Sequence, residues 1–157
     1  MRTMLGLGQL AADDRDLVCA ARDAAAHAYA PYSGYAVGAA LRARDGSVHH
    51  GCNVENAAYG VVLCAEVGAL AAANVAGVGD AVLTIAVTGR LLAAGTVQSG
   101  AVVTPCGRCR QLILEASHRA RVDIRVLCCN HDLGSIEVTS IEHLLPNGFG
   151  PASLGRT

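Results

Sequence analysis

Cys64, Ala65 and Glu66 stand together, and Pro105, Cys106, Gly107, Arg108 and Cys109 follow well downstream. The spacing of Cys106 and Cys109 puts both thiols on one side of a helix start. Unpaired N–H groups and the positive dipole end of such a start favour thiolate over thiol. Cys64 opens a second apolar helical segment and has the same advantage. Three thiolates fill three corners of a zinc tetrahedron and leave the fourth for water, as in a catalytic site. Zinc makes that water more acidic. Three sulfurs weaken the effect relative to three imidazoles, so positive charge nearby has to offset them. Glu66 is too near Cys64 in sequence to be a comfortable fourth ligand and suits a proton shuttle.

Spacing alone leaves rivals open. A C-x-x-C pair also serves redox chemistry, or half of a structural zinc site that draws a fourth ligand from Cys52, Cys128, Cys129 or His131. Adjacent Cys128 and Cys129 end a strand and point to opposite faces, so at most one can join any site. Cys19 falls on the apolar face of a first helix and reads as core.

These residues need elements to hold them. Asp13 to Tyr29 reads as a helix, with two acids at its start and Pro31 beyond its end. Tyr35 to Arg42 and Ser47 to Cys52 read as strands joined by an Asp45-Gly46 hairpin turn. A helix follows from Leu63 to Val75, apolar all round and therefore expected to be buried. Strands are expected at Ala81 to Thr88, Ala101 to Thr104 and Val122 to Cys128, with a further short one at Ile136 to Thr139. Pro105 opens a helix to about Ser117. Ser140 caps a short helix that ends at Pro146. The implied fold is α/β, a three-layer α/β/α sandwich around a central mixed sheet of about five strands. One domain spans 1–157, with its core at about 13–150.

Composition narrows the function. The 157 residues are 52% hydrophobic and 16% charged, enough for one folded core. No apolar run reaches the length of a membrane span, and Met1 to Leu10 is too weakly apolar for a secretory signal. A cytoplasmic protein with no membrane partner is expected, its seven cysteines reduced or bound to metal. Net charge is −1, every basic residue is arginine, and aromatics are 3%. No basic stripe or stacking platform is visible, which argues against nucleic acid and for a small, nearly neutral substrate.

The flanking segments carry a resemblance. Ala30-Pro31-Tyr32-Ser33, Val37-Gly38-Ala39-Ala40, Gly51-Cys52-Asn53-Val54-Glu55-Asn56-Ala57-Ala58-Tyr59-Gly60, Pro105 to Gln111, and Leu144-Leu145-Pro146 with Phe149-Gly150 resemble the small homotetrameric cytidine deaminases. The C-A-E and P-C-x-x-C pair is the three-cysteine form of the zinc deaminase signature. The resemblance implies zinc-dependent hydrolytic deamination of cytidine and deoxycytidine, releasing ammonia. It implies one zinc per subunit on Cys64, Cys106 and Cys109, with Glu66 moving protons to N3 and the leaving amino group. It also implies Asn53 and Glu55 on the ribose 3′-hydroxyl, Ala65 on the pyrimidine edge and Tyr35 beside the base. Ala57, Tyr59 and Phe149 match positions that reach a neighbouring subunit's site in a homotetramer.

Three departures stand out. The family often places arginine directly after C-A-E, where it offsets the ligand charge; here that residue is Val67, with Arg108 and Arg110 as candidate substitutes. The stretch from Cys64 to Cys106 is long, and the excess is expected as a surface loop at Arg90 to Gly100. Tyr35 adds a hydroxyl beside the base. A site poorer in positive charge should gain activity at higher pH than an arginine-bearing relative. The check is a pair of pH–rate profiles, and coincident acid limbs would refute the expectation.

Overall fold

The Asp45-Gly46 turn forms as expected. The Asp45 carboxylate accepts from the Ser47 N–H at 2.9 Å and the Ser47 hydroxyl at 2.6 Å. Gly46 takes a φ of +87° that other residues avoid. The turn joins β2 (Tyr35–Ala43) to β3 (Val48–Cys52). The computed structural model describes residues 2–93 and 101–156. Its other elements are β1 (Thr3–Leu5), α1 (Ala12–Ala25), α2 (Ala65–Val75), β4 (Val82–Leu91), α3 (Gly107–Ala120), β5 (Arg125–Cys129), β6 (Ile136–Ser140) and α4 (Ile141–Leu144).

The strands form one mixed sheet of six in the order β1-β6-β5-β4-β2-β3. Only the β4–β5 pair is parallel, and α3 makes its crossover. Residues alternate between two cores, as the two-residue period of a strand requires. On one face Leu17, Val18 and Ala21 of α1 meet Ala40, Ala86, Leu127 and Cys129. On the other, Ala65, Ala69 and Ala73 of α2 and Ile113 and Leu114 of α3 meet Ala39, Leu41, Ile85, Val87, Val126 and Cys128. Cys128 and Cys129 accordingly lie in opposite cores. The result is the expected three-layer α/β/α sandwich, with a sheet of six strands where about five are expected, and one of the six is not among those the sequence suggests.

That strand is β1, which pairs antiparallel with β6 through Thr3, Met4 and Leu5. Three residues, mostly exposed, carry too little pattern to be read beforehand. The strand expected at Ala101 to Thr104 does not form. Both sides of β5 are already taken by β4 and β6, so this segment has no free edge. Its backbone instead passes beside the end of β5, with the Val103 N–H donating to the Cys129 carbonyl at 3.1 Å.

Several boundaries move for one reason: backbone groups find partners outside the helix. α1 stops at Ala25 rather than Tyr29, because Tyr29 pairs with the segment after β3. The Tyr29 N–H donates to the Asn53 carbonyl at 3.0 Å, and the Glu55 N–H donates to the Tyr29 carbonyl at 2.8 Å. α2 begins at Ala65 rather than Leu63, because Leu63 bridges Val54. α3 begins at Gly107 rather than Pro105 and runs to Ala120. β4 extends to Leu91, so Arg90 and Leu91, expected in a loop, pair with Ala36 and Tyr35 of β2. Residues 94–100 of that expected loop lie outside the described residues. Ser140 does precede α4, but its side chain makes no cap hydrogen bond and the helix ends at Leu144.

α2 is not buried all round. Ala65, Glu66, Ala69 and Ala73 face the sheet, while Val75 on the other side is 91% exposed. The inward stripe sits unusually close to β3. A Cβ at Gly51 would lie 2.2 Å from the Ala65 carbonyl oxygen and 2.5 Å from the Ala69 nitrogen. Both are backbone atoms of the helix that carries Glu66, so no rotamer change relieves the clash. Gly51→Ala should therefore cost about 1–3 kcal/mol by overpacking. Urea unfolding measures it, and an unchanged midpoint would mean that α2 can lift off β3 freely.

Candidate active site

Cys64 and Cys106 are the N-cap residues of α2 and α3, each in extended backbone just before its helix begins. Cys109 is the third residue of α3. The α2–β3 contact and the α3 crossover bring these two helix starts together. The three Sγ atoms lie within 4.8 Å of one another, with Cys64 and Cys106 3.9 Å apart. Among the described residues no other histidine, cysteine or carboxylate atom joins the group. The described residues thus bring three ligand atoms together, not the four of a closed structural zinc site. Cys52 instead donates to the His27 carbonyl at 3.4 Å, and Cys128 and Cys129 are buried in the sheet.

The electrostatics of the three thiols suit a bound cation. Burial pushes the Cys109 thiol far up, and the negative charges of Glu66, Cys64 and Cys106 push it further. Cys64 is raised by burial, then by the charges of Cys106 and Glu66. Burial also raises Cys106, but there the Cys109 N–H and the neighbouring thiols outweigh it, and the net shift is downward. Three sulfurs this close cannot all ionise beside a carboxylate without compensation. A soft-accepting divalent cation supplies it, and the donor set of three sulfurs with one open position fits zinc.

Glu66 is 4% exposed at the floor of a cleft of about 190 Å³ that also includes Cys64, Ala65, Cys106 and Asn53. Burial raises its carboxyl above the usual glutamate range, the direction that suits a group exchanging protons near neutrality. Val37, Val62, Leu63 and Val103 line the remaining walls with Thr104. The sequence does not mark these as site residues. It places Val103 and Thr104 in a strand, and nothing in their types signals a cleft.

Asn53 is 8% exposed and spans two backbone groups of β2. Its Oδ1 accepts from the Val37 N–H at 2.8 Å and its Nδ2 donates to the Tyr35 carbonyl at 2.9 Å. Glu55 lies in an adjoining hollow with Tyr32, Ser33 and Tyr59, joined to the cleft at Val62. Its carboxylate accepts from the N–H groups of Tyr32 and Ser33 at 2.8 and 3.1 Å and from the Ser33 hydroxyl at 2.5 Å. The Ser33 bond foremost holds its pKa down. Tyr35 is not part of the cleft lining; its ring covers Gly89, where a Cβ would come within 2.7 Å of it. Ala57, Tyr59 and Phe149 all lie at the surface, Tyr59 and Phe149 being 73% and 61% exposed.

The family model for the cytidine and deoxycytidylate deaminase zinc-binding region matches residues 11–124, a span that includes all three cysteines and Glu66. The chain belongs to this deaminase family. It is similar to a cytidine deaminase of Mycobacterium tuberculosis, 42% identical over 87% of this chain and 89% of that protein. A cytidine deaminase of Sporosarcina psychrophila is 39% identical over 90% of this chain and 95% of that protein. The crystal structure of cytidine deaminase from Burkholderia pseudomallei superposes with a TM-score of 0.74 at 42% identity, covering 85% of this chain and 97% of that one.

Within this deaminase family frame, the two arginines do not take over the sulfurs. Arg108 donates to the Val62 carbonyl at 3.1 Å. Arg110 donates to the carbonyls of Pro105 and Leu144 at 2.8 and 3.1 Å and reaches Thr104 Oγ1 at 3.4 Å. Both brace the corners around the site. Val67 is half-buried and lines a separate hollow with Leu70 and Leu112.

The Asn53 amide ties the loop after β3 to β2, so Asn53→Ala should destabilise the fold by about 1–3 kcal/mol, since it leaves a Val37 donor and a Tyr35 acceptor unmet. Chemical denaturation reads this directly, and wild-type stability would show that water replaces the amide without loss.

Proposed function

We infer that the protein is a zinc-dependent deaminase that hydrolyses cytidine and deoxycytidine to uridine and deoxyuridine with release of ammonia. The observation that carries this reading is the convergence of the Cys64, Cys106 and Cys109 sulfurs beside the buried carboxyl of Glu66, in a chain of the deaminase family. Zinc on the three cysteines would supply Lewis acidity that makes water a nucleophile near neutral pH. Glu66 takes a proton from that water and delivers it to N3 of the pyrimidine. A C4–O bond forms, the C4–N bond breaks, and Glu66 passes the second proton to the departing amino group.

Asn53 and Glu55 hold the ribose 3′-hydroxyl in this reading. Their existing bonds leave room for it. A carboxylate offers about four acceptor sites, and Glu55 uses three. Asn53 keeps one amide proton and one lone pair beyond its two bonds to β2. The base then lies at the cysteine cleft, its edge against the Ala65 N–H, and the sugar points toward the Glu55 hollow. Free cytosine lacks the 3′-hydroxyl that these two residues hold in this reading, so the base alone should be a poor substrate. Tyr35 stands beside the base in this reading, its ring lying over Gly89 of β4.

The assembly is a homotetramer with composite sites. A cleft of about 190 Å³ is small for a nucleoside and is open at its rim. Tyr59, packed edge-on against Tyr32, and Phe149 are large aromatic side chains exposed at the surface, and with Ala57 they close the sites of neighbouring subunits in this reading. The whole chain serves as a single catalytic domain. No described helix is long and apolar enough to cross a membrane, and seven unpaired cysteines suit a cytoplasmic enzyme.

Glu66→Gln tests the reading. The variant should keep one zinc per chain by metal analysis while losing cytidine turnover by about 10²-fold or more, followed by absorbance. Full turnover in this variant would remove Glu66 from the mechanism. Wild-type protein that binds zinc but leaves cytidine untouched would reject the reading altogether.

A further inference from the structure

The largest hollow described, about 700 Å³, lies away from the cysteine site. It opens between the C-terminal end of α3 and the tail, and Arg119, Arg121, Arg156 and His118 line it with Pro151 and Ala152. Among the described residues, no carboxylate is among its walls. No hydrogen bond or ion pair engages the three guanidinium groups among the described residues. Glu115, one turn before Arg119, shares a different hollow with it and forms no ion pair there.

A helix C-terminus favours basic residues, because its free carbonyls carry partial negative charge. That accounts for His118 and Arg119 in the last turn of α3. It does not account for Arg156, which comes from outside the helix and is set in place by separate means. Gln111 holds the tail to α3 by donating to the Phe149 carbonyl at 2.7 Å. The tail then turns through Pro151–Leu154, and the Arg156 N–H donates to the Pro151 carbonyl at 3.0 Å. Arg121 ends α3 at a φ of +56°, a left-handed conformation in which the chain turns back. Two unrelated segments thus deliver three like charges to one hollow. Such an arrangement is self-repelling until an anion enters.

We propose that this basic cleft binds an oligophosphate, two or more linked phosphate groups, either free or carried by a nucleotide. Each guanidinium presents a planar fork of donors that matches phosphate oxygens pairwise. The cleft has the size of a small-molecule site rather than of a single ion. This site is separate from the deamination chemistry and does not rest on it.

The test is calorimetric titration of the zinc-loaded protein with inorganic tripolyphosphate at near-physiological salt. A nucleoside triphosphate, orthophosphate and a short RNA oligomer serve as further arms. Arg156→Ala, Arg119→Gln and Arg121→Asn are compared with wild type; asparagine tolerates the left-handed backbone at 121. The expected result is saturable binding of tripolyphosphate, weakened roughly tenfold by each variant, with cytidine deamination in the absence of phosphate unchanged as proof of folding. Binding of the nucleoside triphosphate alone, with the same loss in the variants, assigns the source to a nucleotide. Chelation at the cysteines would affect all variants equally, so equal binding by wild type and variants overturns the proposal. No saturable binding, or binding by orthophosphate or RNA alone, overturns it as well.

Discussion

A helix backbone resting directly on a strand backbone is the constraint on which this site depends. At Gly51 nothing separates β3 from the first turn of α2, and Ala65 and Ala69 occupy the space a side chain would fill. The contact fixes the height of the α2 N-terminus above the sheet. Cys64 and Glu66 flank that turn, so the same contact sets where a sulfur and a carboxylate stand. On α3, the Arg110 guanidinium performs the matching task by binding the Pro105 and Leu144 carbonyls. Two helix starts are thereby held with their positive dipole ends toward one point, which partly offsets the charge of three thiolates.

The polar residues around the cleft hold its backbone together. Asn53 staples its loop to β2, and Glu55 organises the Tyr32–Ser33 backbone. These bonds remove rotamer freedom from both side chains. The same loop explains why α1 stops early. Tyr29 is drawn out of the helix to pair with Asn53 and Glu55, and the shortened helix is part of how the loop after β3 is held beside the cleft.

Much of the layout was legible in the sequence because strong local signals coincided with tertiary need. The Asp45-Gly46 turn, the C-A-E and P-C-x-x-C spacings and the alternating strands each specify geometry within a few residues. The failures share a physical cause. Whether Ala101 to Thr104 forms a strand depends on whether a sheet edge is free, and β5 offers none. Whether Tyr29 or Leu63 is helical depends on a backbone partner elsewhere in the chain. β1 is too short to carry a period. The outer face of α2 looks buried in sequence, yet the single chain leaves it open. The basic cleft was invisible for a similar reason, since Arg156 lies far along the chain from Arg119 and Arg121.

The 3.9 Å between the Cys64 and Cys106 sulfurs has a consequence for handling the protein. Two thiols that near each other need to approach by only about 2 Å to form a covalent bond, and the Cys109 N–H and the neighbouring thiols outweigh burial to lower the Cys106 pKa. A cation seated among the three sulfurs engages their lone pairs and holds them apart. It therefore serves as a protecting group in the synthetic chemist's sense. Stripping it in air invites a self-inflicted crosslink that later addition of metal does not reverse.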